Sequence, residues 1–191
     1  MYRRKRACTI LAVCAGTLVA GCMPQMTLEE MQAQRPRRPA ELDRLDAFVG
    51  KWQYEGQARM PMIKDRESLR TAGTGEYRWD GDRWFVVGRG VMSMEGFDDM
   101  QSLETWTYDA KAGKFRSTWT GSQGMIGIGE GRYDAKTDTW HIKATSYSPW
   151  GRSTMKGWMK FSGADTMEWW WAEYQGLMKT MEMSGTGKRV K

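Results

Sequence analysis

The sequence is poor in the residues that most often do chemistry. It holds one histidine and three cysteines in 191 residues. A single His removes most nucleophile–base pairs and most zinc sites. All three cysteines, Cys8, Cys14 and Cys22, fall in the first 22 residues. The chain beyond them has neither a free thiol nor a disulfide, so its stability must come from packing. No apolar run reaches the roughly 18 residues that a membrane-spanning helix needs. Disorder is excluded by composition, because 40% of the residues are hydrophobic and 12% aromatic. What is abundant is methionine (16), tryptophan (11) and glycine (22), in a length that suits one domain with a real core.

The first residues form a leader. Arg3-Arg4-Lys5-Arg6 is a cationic start, followed by the apolar stretch Ala7 to Leu18 and then Val19-Ala20-Gly21-Cys22. That order of charge, apolar stretch and small residues is a secretory signal peptide over 1–21. The ending Leu18-Val-Ala-Gly-Cys22 resembles the lipobox of bacterial lipoproteins. The resemblance implies cleavage before Cys22, diacylglycerol on its thiol and an acyl chain such as palmitate on the new amine. Two or three chains give lasting attachment where one is marginal. Met23 in place of Asp implies, by the same resemblance, the outer membrane, with the domain facing the periplasm. Removing four basic residues lowers the formal charge from +6 to +2, so the basic balance is no argument for nucleic acid.

Residues 22–39 read as a lipid-anchored tether. Thr27-Leu-Glu-Glu30 is a capping-box pattern for a short helix through Gln34, which Arg35-Pro-Arg-Arg-Pro39 stops. These arginines either touch anionic headgroups or serve as a solvated spacer. The domain itself is expected over 40–191. It opens with a short amphipathic helix, with Leu42, Leu45 and Val49 at helical spacing, Pro39 before it and Gly50 after it.

From Lys51 the period switches to two. Phe115, Ser117 and Trp119 alternate with Lys114, Arg116 and Thr118, and Trp140, Ile142 and Ala144 with His141, Lys143 and Thr145. Tyr108-Asp-Ala-Lys-Ala-Gly-Lys-Phe115 recurs as Tyr133-Asp-Ala-Lys-Thr-Asp-Thr-Trp140, each copy a strand, tight turn and strand. About ten strands follow, near 51–60, 69–79, 83–94, 102–109, 114–120, 124–133, 139–146, 153–161, 166–174 and 178–188. The fold class is all-β: an antiparallel up-and-down barrel after a short N-terminal helix. Steady hairpin spacing favours it over a β-sandwich, since closure removes the edges. Gly121, Gly124, Gly127, Gly129 and Gly131 fit one strongly bent strand; without a following Gly-Lys-Ser/Thr they do not make a phosphate loop.

Phe48-Val-Gly-Lys-Trp52, after a short helix, resembles the opening of calycin barrels, where the Trp closes one end. Leu45-Asp-Ala-Phe-Val-Gly-Lys-Trp-Gln-Tyr-Glu-Gly56 and the Tyr-Asp-x5-Phe/Trp turns are similar to a bacterial family known only as a domain of unknown function, number fifteen-seventy-nine. The resemblance runs over about 42–190 and implies a lipocalin-like barrel with no assigned activity. Related haem-binding barrels need an axial His; His141 alternates with Trp140 and Ile142 and so is expected to point outward.

With Trp52 inward as the structural closure, the alternation sends Tyr54, Trp119, Trp140, Met155, Met159, Trp169 and Trp171 inside, as core or as the lining of a ligand cavity. Arg89 or Lys179 is the candidate for orienting a polar head. Met60-Pro-Met62, Met92-Ser-Met94 and Met181-Glu-Met183 each put two thioethers on one strand face. Met92, Met94, Met181 and Met183 are thus the weak candidates for a Cu(I) site. Trp170, with Trp158, falls on the outer face, either exposed to a partner or covered by the N-terminal helix. No enzyme, resident cofactor or nucleic-acid partner is expected. The expected role is a lipid-anchored envelope binding module for an apolar or amphipathic small molecule. The alternatives are a filled barrel acting through its surface, or a Met-rich Cu(I)-binding protein.

Overall fold

The computed structural model describes residues 26–190. The expected signal peptide, Cys22 and the first residues of the tether lie outside them. The tether segment Leu28–Ala33 is a short helix, α1, closed by the capping box that the sequence implied. The Thr27 amide donates to Glu30 Oε2 at 2.7 Å and the Glu30 amide to Thr27 Oγ1 at 3.1 Å. None of its residues is buried, and it belongs to a unit separate from the body, which begins at Arg38.

The body starts with a 3-10 helix, Ala40–Ala47, and continues through ten strands. These are β1 (Gly50–Arg59), β2 (Leu69–Asp80), β3 (Phe85–Met94), β4 (Met100–Asp109), β5 (Lys114–Gly121), β6 (Met125–Asp134), β7 (Thr139–Ser148), β8 (Gly151–Phe161), β9 (Thr166–Gln175) and β10 (Met178–Val190). Each strand pairs antiparallel with its sequence neighbour, and β1 pairs with β10 to close the barrel. Every expected strand is present, its ends within two residues of those read from the alternation. A sandwich would have left two sheets; here no strand edge remains unpaired.

The two-residue period survives because each hairpin keeps its register. On β1, Trp52, Tyr54 and Ala58 face the axis while Lys51, Gln53 and Glu55 face solvent. One irregularity breaks the pattern, a bulge at Lys179/Met181 on β10.

Large inward rings are matched by glycines on the next strand. Trp119 stands opposite Gly127, Trp171 opposite Gly157, Trp169 opposite Gly185, Tyr77 opposite Gly88 and Tyr54 opposite Gly187. A Cβ on Gly127 would lie 2.0 Å from Trp119 Nε1, and one on Gly88 would lie 2.3 Å from the Tyr77 ring. The rings therefore lie flat across bare backbone, and the glycine-rich β6 supplies that room rather than a phosphate cradle.

Candidate ligand site inside the barrel

The two ends of the barrel differ. At the end where β1 begins and β10 ends, the 3-10 helix is a plug, with Leu42 and Leu45 fully buried. Each contributes about 2 kcal/mol of burial. Phe48 stacks on Trp106 at 5.7 Å between centroids and meets Trp140 and Phe161 edge-on at 4.9 and 5.3 Å. The Trp52 indole N–H donates to the Phe48 carbonyl at 2.8 Å, which ties its ring to the plug at this end of the barrel. Arg189 lies over the Trp52 ring at 4.4 Å and donates to the carbonyls of Val49, Ala47 and Ala164. This end is solid.

Toward the other end the filling stops. Tyr54, Tyr77, Glu104, Trp119, Met155 and Trp171 all occupy inward positions, yet each is only half-buried. Inward side chains that keep accessible surface line space that the packing does not fill, and the loops 60–68, 95–99, 121–124, 148–151 and 175–178 lie at this end of the barrel. Three buried polar atoms on inward positions have no protein partner: Thr71 Oγ1, Ser146 Oγ and Trp169 Nε1.

The inward ionisable groups of the described strands are few. Glu104 accepts from the Tyr77 hydroxyl at 3.2 Å. Burial raises its pKa to about 7, against the lowering effect of hydrogen bonds from Trp106 and Tyr77. Burial also raises the Tyr54 and Tyr77 hydroxyls well above the ordinary tyrosine range, and their rings meet over Gly75. Nearer the mouth, Ser153 Oγ donates to Glu173. The inward cation, Arg189, is committed to the plug.

The sequence candidates separate accordingly. Tyr54, Trp119, Met155 and Trp171 line the open space, whereas Trp140, Met159 and Trp169 are buried in the packed interior. Arg89 and Lys179 do not orient a head inside. Arg89 lies on the outer face of β3, out of phase with inward Gly88 and Gly90, and Lys179 stands outside beside the bulge, paired with Glu182. Glu104, Tyr77 and Glu173 were missed. Their phase with Trp106, Trp79 and Trp171 was the available signal.

Met92 and Met94 on β3, and Met181 and Met183 on β10, all pack against the core, but β1 and β2 separate the two pairs. His141 is exposed on the outer face. Trp158 and Trp170 stand opposite each other outside, half-buried, with the Trp170 indole donating to Glu182 at 2.8 Å.

The sequence model of the family described as "Protein of unknown function (DUF1579)" matches residues 38–187. No curated protein matches the chain. Among solved structures, the chain is similar to Rv2717c from M. tuberculosis, with 11% identity, 81% of this chain and 100% of that chain covered, and a TM-score of 0.61. A redesigned β-barrel, mFAP0, bound to DFHBI, aligns with 10% identity over 75% of this chain and 99% of that chain, at a TM-score of 0.43. The first likeness is one of fold.

Proposed function

This chain belongs to the DUF1579 family of proteins of unknown function, and we propose that its barrel is a non-catalytic binding module for an apolar or amphipathic small molecule. The observation that carries the reading is the half-buried inward ring of Tyr54, Tyr77, Glu104, Trp119, Met155 and Trp171. Aromatic and thioether walls supply the affinity. Burying about 300 Å² of apolar ligand surface contributes roughly 7 kcal/mol before the cost of association is subtracted. The plug closes one end, so a ligand enters through the mouth. A lipid on Cys22 and the tether behind it hold the module at the bacterial envelope, on the outer membrane facing the periplasm.

A second reading, contact of the mouth with a membrane or an apolar partner, is favoured by the mouth loops. They carry Met62, Phe97, Trp150, Leu177 and Met178, all exposed. The loops of the plugged end carry charged turns instead.

Native mass spectrometry of the purified protein after incubation with an extract of bacterial envelope tests the main reading. A discrete added organic mass supports it. A copper-sized increment supports the methionine alternative, and a bare protein mass across lipid and metal conditions removes both.

A further inference from the structure

The interior of the barrel is not electrically neutral. Its two inward carboxylates, Glu104 on β4 and Glu173 on β9, face a space whose one inward cation among the described strands is held elsewhere. Arg189 is spent at the plug, over Trp52 and on the carbonyls of Val49, Ala47 and Ala164. Glu173 has a partner in Ser153. Glu104 receives the Tyr77 hydroxyl on Oε2 and the influence of the Trp106 indole, both neutral donors. A carboxylate taken out of water without a counter-charge is costly, and neutral hydrogen bonds offset only part of that cost.

The surroundings of Glu104 supply the rest of a cation site. Its cross-strand neighbour on β5 is Trp119, an indole that is half-buried in the open space. Its neighbour on β3 is Gly88, whose missing side chain lets the Tyr77 ring lie alongside. A carboxylate with an indole on one flank and a phenol on the other is the arrangement that holds an ammonium by charge and by ring quadrupole together. Beyond it, Met155 and Trp171 continue the wall as apolar surface.

Resting on the binding reading above, we propose that Glu104, flanked by Trp119 and Tyr77, is the polar anchor of the interior and that the ligand is a lipophilic amine. The ammonium sits against Glu104 and the apolar body extends toward the mouth. A fatty acid is the wrong ligand for this barrel, because its carboxylate would meet Glu104 and Glu173 with no free inward cation among the described strands to receive it.

Three probes of equal chain length decide the matter: dodecylamine, dodecanol and dodecanoate, each titrated into the purified protein by calorimetry. The amine is expected to bind at least about tenfold more tightly than the alcohol, with the acid weakest, as a charge-assisted hydrogen bond warrants. The Glu104→Gln variant, which keeps the shape, should lose the amine preference. Preference for the amine should also grow as pH rises through about 7, where Glu104 ionises while Tyr54 and Tyr77 stay neutral; the other charged groups facing the interior are Glu173 and Arg189. Equal binding of amine and alcohol, or an unchanged preference in Glu104→Gln, overturns the anchor and leaves the binding reading standing. No binding by any probe overturns the binding reading itself. If the variant fails to fold, the amine-to-alcohol ratio of the unaltered protein and its pH dependence still decide.

Discussion

The Tyr77 hydroxyl donates to Glu104 Oε2 at 3.2 Å inside a wall otherwise built from rings, thioethers and glycine. The pair places an ionisable group where the fold gains nothing from its charge. That geometry has a consequence for stability as well as for ligand choice.

Glu104 ionises at about 7 in the folded protein, mainly because burial disfavours its charge, against an ordinary value of 4.5. The folded state therefore binds the proton more tightly than the unfolded chain. Its contribution is favourable below pH 4.5 and is lost as pH rises to about 7, after which the loss is constant. Glu104→Gln should stabilise the protein above pH 7 by at most about 3 kcal/mol and change little near pH 4. Denaturant melts at the two pH values check the sign. A variant less stable at pH 8 than the unaltered protein contradicts it.

Gly88→Ala should disturb the same site from the neighbouring strand. Its Cβ would fall 2.3 Å from the Tyr77 ring, which must move away from Glu104. Overpacking of this kind costs about 1–3 kcal/mol. The melting midpoint should drop by that measure, and the Glu104 titration, followed by NMR, should shift.

At the plug, Arg189→Ala removes a cation from the Trp52 ring and a donor from the carbonyls of Val49, Ala47 and Ala164. The loss should be about 2–3 kcal/mol, and Arg189→Lys should restore less than half of it, since a single ammonium does not span the three carbonyls. Chemical denaturation at constant slope measures both.

Anchoring is tested separately. Cys22→Ala should leave the barrel folded and release the protein from the membrane fraction after salt and urea washing. Retention in that fraction contradicts the lipoprotein reading.

The strands were legible because their alternation is clean, as in Trp140-His-Ile-Lys-Ala144, and because Asp80-Gly81 and Lys111-Ala-Gly113 mark tight turns. The closing role of Trp52 was implied by the resemblance of Phe48-Val-Gly-Lys-Trp52 to the opening of calycin barrels. The helix at Ala40–Ala47 is 3-10 rather than α, a difference that spacing over two turns does not reveal. Glu104 was less visible, because charge alone reads as an outer-face residue and only its phase with Trp106 places it inside. Lys179 was misread for a local reason: the bulge beside it shifts the parity of β10. Which inward rings are packed and which line open space depends on how side chains from different strands meet, and no single strand carries that information.

The most direct test of the interior as a binding site uses two adjacent residues of β7 that face opposite ways. Ala144, in phase with Trp140, Ile142 and Ser146, points inward and Thr145 points outward, both half-buried. Binding of the neutral apolar fluorophore N-phenyl-1-naphthylamine is titrated for the unaltered protein, Ala144→Phe and Thr145→Phe, with folding monitored by circular dichroism. The account predicts saturable one-to-one binding that Thr145→Phe preserves and Ala144→Phe abolishes in a folded protein. Equal binding by all three, or none by the unaltered protein, contradicts it.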